Sequence, residues 1–150
     1  MAEAGLEVAL FPSAEWLGAV VEALNRQPDL PRALAGLGAD LAAVVEAEPP
    51  AVPRAVTAWG RHDRGRIAEW RLLEDLDEIL EIEPAYVVRA PYRLWKDLLR
   101  RRADPLQAAL SGRLRVEGDL EALVRRQGYR HVMDAALAAV PTGFADEARR

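Results

Sequence analysis

A chain of 150 residues with 51% hydrophobic and 29% charged side chains suits one soluble globular domain with a full core. Its net charge of −4 argues against non-specific nucleic-acid binding and against a constitutive bond to anionic membranes, though a local basic patch could still touch one. The absence of cysteine excludes disulfides, thiol catalysis and thiolate metal sites.

Pro12-Ser13 opens a first helix. Ser13 caps it, Glu15 sits in the positive first turn, and Trp16, Leu17, Val20, Val21 and Leu24 form one stripe. Pro28 and Pro31 break that helix and start a short second one, ending near Gly36-Leu37-Gly38. Residues 40–48 have the alanine content of a helix, while Val44-Val45 allows a strand; the residues alone leave both open. Pro49-Pro50 and Pro53 are loop. Residues 54–61 read as a strand with Ala55, Thr57 and Trp59 on one face. Residues 62–65 form a hairpin turn and 66–73 the returning strand, with Ile67 and Trp70 among its buried candidates. Residues 72–82 fit a helical turn through Leu72, Leu76, Ile79 and Leu80, whereas 79–83 alternate like a strand.

Boundaries are sharpest over residues 85–120. Tyr86, Val87 and Val88 begin a β-type run that Pro91 ends, and Pro91 suits the first turn of a helix. Trp95, Leu98 and Leu99 fall at i, i+3 and i+4 on that helix. Asp104 and Pro105 are N-cap and first residue of the next, with Leu106 and Leu110 on one face. Gly112 ends it. Leu114 and Val116 then alternate with Arg113, Arg115 and Glu117 in a strand that is polar on one side, and Gly118-Asp119 turns the chain into another helix. In that helix Leu120, Leu123 and Val124 face inward, and Gln127-Gly128 marks a break. A last helix carries Tyr129, Val132, Met133, Ala136, Leu137 and Val140 until Pro141-Thr142-Gly143 stops it, leaving a frayed tail over 141–150.

The ordered set in this region resembles the signature of the sterol carrier protein 2 family. A strand leads into a helix bearing Trp95-Lys96; Asp104-Pro105-Leu106 and Ser111-Gly112 follow, and then the run from Arg113 to Asp119. The resemblance is good over residues 85–120 and holds in outline for about the preceding 45 residues. It implies an α/β (α+β) fold in which a five-stranded, largely antiparallel sheet is covered by helices that enclose an apolar tunnel for lipids. It also implies that residues 40–48 start the sheet. On that plan one domain spans 1–150, with N-terminal helices over about 13–37, the sheet and signature over about 40–118, and C-terminal helices over about 119–140.

Reactive groups are scarce. Ser13 and Ser111 are the only serines and His62 and His131 the only histidines, and both serines are explained as helix ends. No Gly-x-Ser-x-Gly elbow occurs, two distant histidines make no metal pair, and Gly36-Leu37-Gly38 is a poor phosphate loop. The acidic run Glu74, Asp75, Asp77, Glu78, Glu81 and Glu83 interleaves with Leu76, Ile79, Leu80 and Ile82, as a solvated amphipathic edge does. Arg100-Arg101-Arg102 complements a helix C-terminus, with a membrane or anionic head-group contact as the sharper alternative. Trp16, Trp59, Trp70 and Trp95 are core residues, of which one or two could line a cavity.

These readings point to a non-catalytic protein, without metal or cofactor, that binds and transfers an apolar lipid such as a fatty acid, acyl-CoA, phospholipid or isoprenoid. The tunnel wall expected from the resemblance draws on Trp95, Leu98, Leu99, Leu106, Leu110, Leu114, Met133, Leu137 and Val140. The alternative is an accessory or dimerisation module whose core is filled and which carries no lipid. No apolar run approaches the roughly 20 residues of a membrane span. The acidic start MAEAGLEVALF is no signal peptide, and the ending ADEARR lacks a peroxisomal address, so a cytoplasmic location is expected. Lys96 is the only lysine, and the arginine, alanine and leucine bias fits a GC-rich bacterial genome.

Overall fold

A computed structural model describes residues 8–119 and 128–147. The N-terminal segment forms strand β1 (Ala9–Phe11), helix α1 (Ala14–Asn25) and helix α2 (Leu30–Leu34). Ser13 caps α1 by accepting from the Trp16 N–H at 3.1 Å, a contact worth about 1 kcal/mol. Strands β2 (Asp40–Glu46), β3 (Val56–Asp63) and β4 (Arg66–Leu73) follow as an antiparallel meander. The β3–β4 hairpin turns on two residues, Arg64 (φ 54°) and Gly65 (φ 79°), whose left-handed backbone matches the twist of the strands. His62 and Asp63 thus belong to β3 rather than to the turn, and Ala55 lies exposed just ahead of the strand.

Within residues 40–48, Asp40–Glu46 resolves as strand, as the family resemblance implied, and Glu48 adds only an isolated bridge to Val52. Helix α3 (Glu78–Ile82) then carries the chain under the sheet to strand β5 (Tyr86–Pro91), which pairs with β2 in parallel. The strand alternative for 79–83 fails because Ile79 and Ile82 are drawn onto the sheet, against Ala42, Val44, Trp59, Leu73 and Val87. Pro91 is both the last residue of β5 and the N-cap of helix α4 (Tyr92–Leu99), one step outside the first turn where it was expected. Helix α5 (Pro105–Leu110) is capped by Asp104, which accepts from the Gln107 N–H at 3.0 Å. Strand β6 (Arg115–Glu117) pairs antiparallel with β5, completing a five-stranded, mostly antiparallel sheet of order β4-β3-β2-β5-β6.

The expected inward positions Leu120, Leu123 and Val124 lie outside the described residues. Helix α6 (Gly128–Ala138) rests on α1 and α2, where Val132, Ala136 and Val140 meet Val20, Ala23, Leu24, Leu30 and Ala33. Beyond it the frayed tail is corrected in part. Strand β7 (Thr142–Phe144) pairs in parallel with β1, and Phe144 is buried beside Phe11, Val45, Val52 and Tyr92. A three-residue strand with a glycine at its centre carries too short an alternation to be read without its partner. Trp70 is a second correction: it is 37% exposed, because β4 is an edge strand and its ring lies against Gly18 of α1, which has no side chain to cover it.

Candidate functional site

Side chains alternate across a strand, so the register sorts the five strands into two faces. One face carries Ala42, Val44, Thr57, Trp59 and Leu73, is closed by α3, and is trimmed with charge. On that face Arg71 lies 5.7 Å from the Trp59 ring, Arg89 pairs with Glu117 at 3.2 Å, and Arg115 pairs with Glu46. The other face is apolar from edge to edge. It aligns Leu41, Ala43 and Val45 of β2 with Val56 and Ala58 of β3, Leu72 of β4, Val88 and Ala90 of β5, and Val116 of β6.

The helices cover that second face unevenly. Over β5 and β6, Leu94, Trp95 and Leu98 of α4, Ala108 of α5 and Leu114 pack against Val88, Ala90, Leu41 and Val116. At the end of the sheet marked by Val45 and Val56, a second cluster forms around Phe11, Tyr92 and Phe144, with Trp16, Trp95 and Leu99 against it. Helices α1, α2 and α6 make a third cluster of their own. Between these, Ala43, Ala58 and Leu72 join none of the three and remain half-buried, as do Leu41 and Val116 at its margin. An apolar floor whose central side chains stay half-buried offers a surface that apolar matter can cover.

The expected wall residues separate into groups. Trp95, Leu98 and Leu114 come together beside the floor. Leu99 faces the Phe11–Phe144 cluster, and Met133 and Leu137 flank the helical cluster that holds Val140. Leu106 and Leu110 stand at the surface, 38% and 67% exposed, because Ala108 is the α5 residue turned inward. The floor residues themselves were missed, since alanines in a strand carry no signal until their cross-strand partners are known.

Most tryptophans are fixed by their N–H groups. Trp59 donates to Asp40 Oδ2 at 2.9 Å, Trp95 to the Val44 carbonyl at 2.9 Å and Trp16 to Thr142 Oγ1 at 3.0 Å. Trp70 lines an open groove between α1 and β4 with Gly18, Asn25 and Ile67. Hydroxyl and imidazole groups have structural partners too: Ser111 donates to the Ala108 carbonyl at 3.1 Å, and His62 Nε2 lies 2.8 Å from the Gly38 carbonyl. His131 is exposed. In the acidic run, Glu78 accepts from Arg71 and from the backbone N–H groups of Asp75 and Glu74, which hold its carboxyl below the usual range. Among the described residues no group of three or more His, Asp and Glu side chains is placed to hold a metal ion, and no helix is long and apolar enough to cross a membrane.

The principal electrostatic cluster ties β7 to α4. Lys96, 15% exposed in its side chain, pairs with Asp146 at 2.8 Å and Glu147 at 2.6 Å, and lies 5.4 Å from the Phe144 ring. Arg100 pairs with Glu147 at 2.6 Å and lies over the same ring at 4.4 Å. Tyr92 donates to Asp146 at 2.8 Å. Bonds from Arg100 and then Lys96 hold the Glu147 carboxyl down at about 2, and the Lys96 bond is the main cause that lowers Asp146. Burial, reinforced by Asp146, pushes the Tyr92 hydroxyl up to about 12. For Lys96 burial opposes the charge, but Asp146 and Glu147 together outweigh it and raise the ammonium.

The fold has clear counterparts. A Thermus thermophilus protein described as a possible sterol carrier protein superposes with a TM-score of 0.71 at 23% identity, over 91% of this chain and 93% of its own. A crystal structure of sterol carrier protein 2 gives 0.68 at 23% identity, over 83% and 95%. The apo form of sterol carrier protein 2 from Yarrowia lipolytica gives 0.54 at 10% identity, over 93% and 99%. No curated protein matches the sequence significantly. The model of the SCP-2 sterol transfer family matches residues 22–128, which include the whole five-stranded sheet and the Trp95–Asp119 signature, and the chain therefore belongs to the SCP-2 sterol transfer family.

Proposed function

We propose that this protein is a non-catalytic carrier that holds the apolar part of a lipid against the floor of Leu41, Ala43, Ala58, Leu72 and Val116. The observation that carries this reading is the all-apolar sheet face whose central side chains stay half-buried beneath separate helical clusters. Trp95, Leu98, Leu99 and Leu114 would form the wall on the α4–α5 side, and Met133, Leu137 and Val140 the roof. Membership in a sterol transfer family supports lipid binding in general, and apolar chains of several kinds satisfy the same surface.

Magnitudes fit a carrier. Burying a methylene gains about 0.8 kcal/mol, so a 16-carbon chain gains roughly 12 kcal/mol gross. Losses of rigid-body and chain freedom leave about −8 kcal/mol, a micromolar affinity that allows release.

Native mass spectrometry of the purified protein, followed by extraction and identification of what co-purifies, tests the reading. A bound lipid that added fatty acid displaces with micromolar affinity supports it. A clean apo mass with no binding across a lipid panel would replace it with a filled-core interaction module.

A further inference from the structure

We propose that the outer face of α5 is a docking surface for anionic lipid bilayers, with Leu106 and Leu110 entering the acyl boundary and Arg102 and Arg113 meeting the head-groups. Ala108 anchors the inner side of the helix, 2% exposed among Val88, Ala90, Leu94 and Leu114. Leu106 and Leu110 are at i and i+4, so they stand side by side on the outer face, 38% and 67% exposed. Two solvent-facing leucines on one turn and a half of helix leave apolar surface in water, which the protein's own fold does not cover; entry into a bilayer removes that surface from water.

Charge selects the kind of bilayer. The whole chain carries −4, but residues 100–116 hold five arginines against the single acid Asp104, a local +4. Several of these charges are engaged: Arg100 with Glu147, Arg115 with Glu46, and Arg101 loosely with Asp134 at 3.8 Å. Arg102 and Arg113, which flank α5 on either side in the chain, are exposed and make no ion pair among the described residues. Long arginine stems let the guanidinium stay at phosphate level while the leucines go deeper.

The molecule supplies its own contrast. Leu76 and Leu80 are also exposed, at 43% and 75%, but they lie in a run with six carboxylates, Glu74, Asp75, Asp77, Glu78, Glu81 and Glu83. An anionic surface repels that edge. Nucleic acid would satisfy Arg102 and Arg113 beside α5 but gives exposed leucines nothing, so the leucines decide for lipid. The inference rests on outward side chains and holds whether or not the interior carries cargo.

The test is co-sedimentation of the full chain with vesicles of phosphatidylcholine alone, or mixed in equal parts with phosphatidylglycerol. Binding to the mixed vesicles only, weakening as salt rises, is expected. The double variants Leu106→Gln/Leu110→Gln and Arg102→Gln/Arg113→Gln should each lower partitioning at least about tenfold, while Leu80→Gln leaves it unchanged. Circular dichroism melting checks that the variants are folded. Fatty-acid binding, read separately by displacement of a fluorescent probe, reports on the interior site and so distinguishes failure of the carrier reading from failure of this one. No sedimentation of the wild type, equal binding to neutral vesicles, or full binding by the leucine double variant would each overturn the proposal. So would retention of duplex DNA that depends on the arginines but not on the leucines.

Discussion

Asn25 exchanges both hydrogen bonds of its amide with the backbone of Ile67: Oδ1 accepts from the Ile67 N–H at 2.8 Å and Nδ2 donates to the Ile67 carbonyl at 3.1 Å. The last residue of α1 thus takes the place of a missing strand at the free edge of β4 and fixes the height of α1 above the sheet.

Removing that amide exposes the consequence. Asn25→Ala should cost about 1–3 kcal/mol, since two backbone groups lose their partners at once. Urea unfolding should show a lower midpoint at unchanged slope. Asn25→Asp keeps the acceptor but turns a carboxylate toward a carbonyl, and should be no better. A variant as stable as the parent would mean that the edge is satisfied by water.

Gly118, in the signature run, has φ +112°, and a Cβ there would lie 2.4 Å from the Ala85 carbonyl oxygen. Gly118→Ala should therefore cost at least about 2 kcal/mol, combining backbone strain with displacement of the strand entry. Gly112 separates the two causes: its φ is +80°, yet nothing lies within 4 Å of the added atom. Gly112→Ala should cost only about 1 kcal/mol, the backbone part. Equal costs, measured by thermal melting, would remove the steric argument.

The clasp of Lys96 with Asp146 and Glu147 makes stability depend on pH. Both carboxyls are lowered in the fold, Glu147 from 4.5 to about 2, so the folded state binds protons less readily than the unfolded. Their contribution is full above about pH 5 and is lost as pH falls through 4.5 toward 2. Tyr92 acts at the other limit: raised from 10.0 to about 12, it favours the fold below pH 10 and loses that contribution as pH climbs toward 12. Lys96→Met should lower the melting temperature at pH 7, and the gap to wild type should narrow steadily as pH falls from 5 to 2.5. A gap that stays constant across that range would show the loss to be one of packing.

Much of this fold was legible because its boundaries rest on local chemistry. Ser13 and Asp104 cap the helices that follow them, and Arg64-Gly65 turns the hairpin at the expected place. What was not legible depends on pairing at a distance. β1 and β7 are separated by most of the chain, so Thr142–Phe144 has strand character only beside Ala9–Phe11. The site shows the same limit more sharply. Trp95, Leu98 and Leu114 carry obvious apolar spacing, and the structure does bring them together. Leu106 and Leu110 have equally good spacing and lie outside, because periodicity reveals a stripe but not the side of the helix that the sheet will cover. Ala43 and Ala58 become a floor through the registers Ala43↔Ala58 and Ala58↔Leu72.

That floor offers the most direct way to tell an open interior from a filled one. Ala58 is half-buried at the middle of the apolar face, whereas Ala42, on the opposite face, is fully buried among Val44, Trp59, Ile79 and Val87. If a lipid occupies the space above Ala58, a phenylalanine placed there has room to enter it. Ala58→Phe should then leave urea stability within about 1 kcal/mol of wild type while weakening fatty-acid binding at least about tenfold. Ala42→Phe has no such room and should cost about 1–3 kcal/mol or more by overpacking. Should Ala58→Phe destabilise the protein as Ala42→Phe does, the interior is closed by its own side chains, and the carrier reading would have to yield to a filled core. A stable Ala58→Phe that still binds fatty acid normally would move the ligand elsewhere on the molecule, with the groove beside Trp70 the next place to look.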